Sequence, residues 1–123
     1  MSLSFELHRT RIFAAHPDGP PFHTEADAID LIRESVEAAS SFVVLPVERF
    51  DADFFNLRTR SLGEFVQKFV LYQRRIAFVG DLSDYLAESS SLRAFVREAN
   101  EGRHVWFVAD LDELADRLSA PTS

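Results

Sequence analysis

The sequence predicts a single α/β domain built on a mixed, mostly parallel five-stranded sheet flanked by helices. Three observations predict it. Residues 42–45 (FVVL), 76–79 (IAFV) and 105–108 (VWFV) are short continuous apolar runs, the pattern of strands buried on both faces. Segments of helical periodicity separate and follow them, and strands alternating with helices build parallel sheets through right-handed crossovers. A chain of 123 residues that is 46% hydrophobic has room for one core. Twelve Phe against two Tyr and one Trp make that core aromatic, with few hydroxyls to satisfy.

The elements follow in order. Phe5 and Leu7 alternate with Ser4, Glu6 and His8, the period of a half-buried strand. A turn through Arg9-Thr10-Arg11 leads to a second strand over 12–15, close enough in sequence to pair antiparallel. His16-Pro17-Asp18-Gly19-Pro20-Pro21 is loop, since its prolines remove donors. Thr24 and Asp27 have capping-box spacing, with Asp where Glu is usual. The helix they open places Ala28, Ile29, Ile32, Val36 and Ala39 on one face and ends at Ser40-Ser41.

After the strand at 42–45, residues 46–60 form the longest connection, with Asp51 capping a turn that tucks Phe54 and Phe55 beneath it. Ser61 and Glu64 then match the capping box in full. The helix over 61–73 presents Leu62, Phe65, Val66, Phe69 and Val70 to the core, and Gly63 costs about 1 kcal/mol unless packing requires it. Gly80 stops the strand at 76–79. A turn or short helix over 82–86, the serine run 89–91 and a helix carrying Leu92, Phe95, Val96 and Ala99 come next, with Gly102 as its stop. Beyond the strand at 105–108, Asp110 and Glu113 lead a last helix with Leu111, Leu114, Ala115 and Leu118 apolar, before residues 120–123 fray.

Composition excludes several function classes. No Cys means no disulfide, thiol nucleophile or thiolate metal site. A net charge of -7 argues against nucleic acid or an anionic membrane as partner, because tracking phosphates needs an excess of clustered cations. No apolar run is long enough to span a bilayer, and the N-terminus lacks a signal peptide's pattern, so a cytoplasmic location is expected. His8, His16, His23 and His104 show no ligand spacing, so no metal is expected. No Gly-x-Ser-x-Gly elbow and no glycine-rich phosphate loop is present, and no cofactor is expected.

Two stretches carry a resemblance. ADFFNLRTRSLGEFVQKFVLYQRRIAFVGD (52–81) and LRAFVREANEGRHVWFVADLDELADRL (92–118) resemble a bacterial family catalogued as domain of unknown function 4180. The likeness covers the chain from Thr24 onward and implies a fold more than an activity. In architecture, and in the phrase RRIAFVGD, the chain is also similar to the SpoIIAA-like fold of anti-sigma-factor antagonists and STAS domains. In those antagonists a serine at the start of a helix is phosphorylated by a partner kinase, within an Asp-Ser-Ser-Gly motif. Here Arg58-Thr59-Arg60-Ser61-Leu62-Gly63 occupies that place, so the phosphoswitch does not carry over directly.

The candidate ligand residues are Arg58, Thr59, Arg60, Ser61 and Asp81; no catalytic residue is assigned. Ligands of open α/β sheets lie beyond the carboxyl ends of parallel strands, which here lead into 46–61, 81–91 and Ala109-Asp110. A phosphate near Ser61 would meet a helix N-terminus and two arginines; capping alone accounts for Ser61 equally well. The favoured expectation is a non-catalytic regulatory or protein-interaction module with a small-ligand or phosphate site at the loop before the 61–73 helix. The alternative is a small enzyme or metabolite-binding protein using the same surface. Partners are an unidentified protein or a second copy, a homodimer through exposed apolar surface.

Overall fold

A computed structural model describes residues 2–119; Met1 and the tail expected to fray, 120–123, lie outside the described residues. Five strands, β1 (Ser2–Leu7), β2 (Thr10–Ala15), β3 (Phe42–Pro46), β4 (Arg75–Val79) and β5 (Val105–Val108), form one sheet in the order β1-β2-β3-β4-β5. The first pair is antiparallel and the other three are parallel. This is the mixed, mostly parallel sheet that the apolar runs predict.

Because the parallel strands lie in sequence order, every right-handed crossover passes over the same face. That face carries α1 (Glu25–Glu37), α2 (Ser61–Leu71), α3 (Ser83–Glu88) and α4 (Ser90–Glu101), whereas α5 (Leu111–Ser119) returns beneath the other. The core is therefore lopsided. Phe13, Val43, Leu45, Ile76, Phe78, Val105 and Phe107 point into the large side with Leu31, Leu62, Phe65, Phe69 and Leu92. Ile12, Phe42, Val44, Ala77, Trp106 and Val108 point the other way, against Leu114.

Three 3-10 turns, Val47–Arg49, Ala52–Phe55 and Leu57–Thr59, occupy the long connection between β3 and α2. Phe50, between the first two, is the hub of the aromatic core. Its ring lies 4.3 Å from that of Phe54 and 5.4 to 5.9 Å from those of Phe22, Phe55, Phe65 and Phe78. Arg49 is buried beside it without a carboxylate: it donates to the carbonyls of His16 (2.7 Å) and Pro20 (3.1 Å) and lies over the Phe22 ring. This guanidinium holds the proline loop against the turns.

Three local expectations are corrected. The hairpin turn is His8-Arg9, both with positive φ, and Thr10 already pairs with Leu7, so the turn starts one residue before the predicted triplet and shares only Arg9 with it. Along α1 the buried stripe is Ala28, Leu31, Ile32 and Ser35; Ile29 and Val36 are exposed, as is Val70 on α2. Ser40 ends the helix as expected, its amide donating to the Ser35 carbonyl (2.8 Å) after Ala39 turns to φ 56, and its hydroxyl also ties two strands, donating to the Arg11 carbonyl (2.6 Å) and accepting from the Phe42 amide (3.2 Å).

The third concerns the capping boxes, which are reversed. Thr24 and Asp27 form a complete reciprocal box. Ser61 does not cap α2: the N-cap is Arg60, at φ 64, and its side chain makes no capping bond. The preceding 3-10 turn delivers the chain to the helix in a left-handed conformation, which puts Ser61 inside the first turn. A Cβ placed at the nearby Gly63 would meet nothing within 4 Å, so packing does not offset that glycine's cost. Gly80 is different. It has φ +144, and a Cβ there would come 2.8 Å from that of Val47, so the end of β4 and the loop after β3 approach more closely than a side chain permits.

Candidate functional site

A cleft of about 530 Å³ opens at the carboxyl ends of β3 and β4. Its walls come from the 3-10 turns (Ala52, Asp53, Phe55, Asn56, Leu57, Arg58) and from the α3–α4 junction (Tyr85, Glu88, Ser89, Ser90, Ser91). It therefore occupies the place where parallel α/β sheets hold their ligands.

Each wall is positioned by local chemistry. Asp51 accepts from the Phe54 amide (3.3 Å) and Asn56 from the Arg58 amide (3.1 Å), so each caps the turn that follows it. The buried rings of Phe54 and Phe55 anchor this segment, and Phe55 reaches Tyr85 across the cleft at 5.2 Å. On the facing wall Ser89 accepts from the Leu92 amide (3.0 Å), capping α4. Arg93 donates to the Leu86 carbonyl (2.5 Å), fixing α3 against α4.

The five candidate residues separate. Arg58 lines the cleft, exposed, with no ion pair or side-chain hydrogen bond among the described residues. Thr59 is spent on the backbone: its hydroxyl lies 2.8 Å from the Asn56 carbonyl and 3.0 Å from that of Asp53, and accepts from the Ser61 amide (3.3 Å). Arg60 is exposed in its left-handed conformation. Ser61 borders a different depression, with His23, Thr24, Glu25, Ala26 and Glu64. Asp81 accepts from the Ser83 amide at 2.8 Å, and hydrogen bonds from the Ser83 side chain and amide hold its carboxyl below the ordinary value. It is tied to the first turn of α3, and it does not line the cleft.

The residues that the sequence did not single out are Asp53, Tyr85, Glu88 and the serine run in its role as a wall. Their signal was the two loop segments at neighbouring strand ends. Arg58 supplies the cleft's cation, Asp53 and Glu88 its carboxylates, and Asn56 with the serines its neutral polar groups. Among the described residues no group of three His, Asp or Glu side chains is placed to hold a metal, and no helix is long and apolar enough to cross a membrane.

No curated protein and no solved structure matches the chain. One family model does, over residues 7–118, and its description is "Domain of unknown function (DUF4180)". With that match spanning nearly the whole of an α/β domain that closes on a single sheet, the chain belongs to the DUF4180 family.

Proposed function

We propose that the protein is a non-catalytic regulatory or protein-interaction module that recognises an anionic group in the cleft between the 3-10 turns and the α3–α4 junction. The observation that carries this reading is Arg58, an exposed guanidinium without an ion pair among the described residues, at the wall of a cleft beyond two parallel strand ends. An arginine fork matches carboxylate and phosphate oxygens in two-point fashion, and recruiting an unpaired one breaks no existing ion pair. The facing serines add donors at the start of α4. Thr59 and Asp81 serve by holding the walls, while Arg60 and Ser61 face outward from them. The SpoIIAA-like likeness in sequence supports a role exerted through binding. Its phosphoserine has no counterpart in the Arg58 to Gly63 stretch.

Thermal unfolding in inorganic phosphate and in phosphoserine, each against sodium chloride of equal ionic strength, tests the site. At ten times its Kd a ligand stabilises by about 1.4 kcal/mol, which for a domain of this size raises Tm by roughly 5 °C. Arg58→Ala is expected to abolish that rise. A rise preserved in Arg58→Ala, or none in the wild type, overturns the site. Turnover in a substrate panel that disappears with Arg58→Ala would make the protein an enzyme instead of a binding module.

A further inference from the structure

A second cationic feature lies at the opposite, amino-terminal edge of the sheet, on the face that α5 only partly covers. Arg75 opens β4 beside Phe42 in register, and its guanidinium carbon lies 4.8 Å from the Phe42 ring centroid and 4.6 Å from that of Trp106. Arg117, in the last turn of α5, reaches the same indole at 4.3 Å. The two guanidinium carbons are therefore less than 9 Å apart. Arg103, exposed in the lead-in to β5, joins them through its carbonyl, which accepts from Arg75 Nε at 2.7 Å.

Part of this is structural. Arg75 and Arg117 each tie one carbonyl, Arg103 and Asn100 respectively, and their planar faces cover aromatic surface of Phe42 and Trp106. That leaves the outward N–H groups of both without side-chain partners, and Arg103 with none at all among the described residues. Among the described residues no carboxylate lies within 4 Å of any of the three. Glu98 borders the same shallow groove as Arg103 and does not pair with it. Burial, and then the like charges of Arg103 and Arg117, hold the Arg75 guanidinium below its ordinary value. In a chain of net charge -7, three neighbouring guanidinium groups without a counter-ion among the described residues make a local positive field.

We infer that Arg75 and Arg117, stacked on Trp106, together with the neighbouring Arg103, form a docking surface for a carboxylate-rich segment of a partner protein. The shallow groove beside Arg103 is lined by neither Arg75 nor Arg117, so that groove does not gather the three around a small anion. An extended acidic segment engages such a row of forks one carboxylate at a time. Arginine stacked on an aromatic ring is already ordered, so little side-chain entropy is lost on binding.

Trp106 is the only tryptophan, so its fluorescence reports directly on the surface. The full chain titrated with a hexaglutamate peptide at low salt should show a saturable change in emission that weakens as sodium chloride is raised. Arg103→Glu changes an exposed side chain with no hydrogen bond and should weaken binding about tenfold or more. Its urea midpoint should stay unchanged, and Arg58→Ala should bind the peptide like the wild type. Absence of a saturable change, or equal affinity in Arg103→Glu, overturns the inference. So does the same emission change with inorganic phosphate at matched charge, which would mark a small-anion site. A change that tracks protein concentration without peptide would assign the surface to a second copy of the chain, and overturns it too.

Discussion

Replacing Phe50 by Ala removes the ring at the centre of the large core and tests whether the long connection after β3 is held by aromatic packing. Phe50 is 6% exposed and meets five other rings. Loss of the buried side chain forfeits about 3 kcal/mol of transfer free energy, and the unfilled volume adds to that. The site cannot collapse easily. Phe78 is fixed in a central strand and Phe65 in a helix, while Phe54 and Phe55 are held by a capped turn. The cost should fall near the top of the range for such substitutions, roughly 4–5 kcal/mol, with Tm lowered by about 15–20 °C. Urea unfolding followed by circular dichroism measures it, with Phe50→Leu as a control that keeps most of the apolar volume and should cost less than half as much. Because Phe54 and Phe55 carry the wall that bears Arg58, phosphate stabilisation should also weaken at temperatures where the variant is still folded. A loss below about 1.5 kcal/mol with an unchanged urea dependence would refute the hub, and the connection would then be held by backbone caps alone.

Three further outcomes follow from particular contacts. Thr24→Ala should cost about 1 kcal/mol because it breaks a complete capping box, whereas Ser61→Ala should stay within about 0.5 kcal/mol; paired urea midpoints check the contrast. Asn100 bonds both backbone groups of Phe107 on the free edge of β5, accepting from the amide at 2.7 Å and donating to the carbonyl at 3.2 Å. Asn100→Ala should cost about 1–3 kcal/mol and, by baring the edge, produce concentration-dependent self-association visible by light scattering. Burial alone would raise the Asp27 carboxyl, but hydrogen bonds from the His23 and Thr24 amides and the Thr24 hydroxyl, with the nearby His23, outweigh it and hold the pKa below 3.8. A depressed folded value stabilises above the unfolded value and is lost as pH falls through the folded one. The urea midpoint of Asp27→Asn should therefore lie below the wild type's at pH 6 and approach it at pH 2.

The strands were legible because burial on both faces writes itself as an uninterrupted apolar run, as in FVVL, IAFV and VWFV; FVLY at 69–72 is as apolar but continues the helical period of Leu62, Phe65 and Val66. Helix faces were less so. Ile29 and Val36 satisfy the period as well as Leu31 does, and which side of the cylinder meets the sheet depends on the crossing of α1 with its neighbours. Ser61 illustrates a subtler failure. Its spacing to Glu64 is that of a capping box, yet Thr59 takes its amide and Arg60 turns left-handed ahead of it, so the helix starts one residue early. Phe50 is one aromatic in a polar loop and carries no periodic signal. The cleft joins residues 52–58 to residues 85–91, and only the adjacency of β3 and β4 brings them together.

The order of apolar runs and periodic segments by itself determined a single α/β domain with an antiparallel opening and parallel strands thereafter, since buried runs joined by helices admit little else. It also marked the connections at the strand ends as the place to look for a site. Tertiary structure alone decided which face the helices share, which of the five candidate residues reaches the cleft, and that Arg75 and Arg117 meet on Trp106. Those outcomes rest on distances between segments far apart in the chain, and a one-dimensional pattern records no such distance.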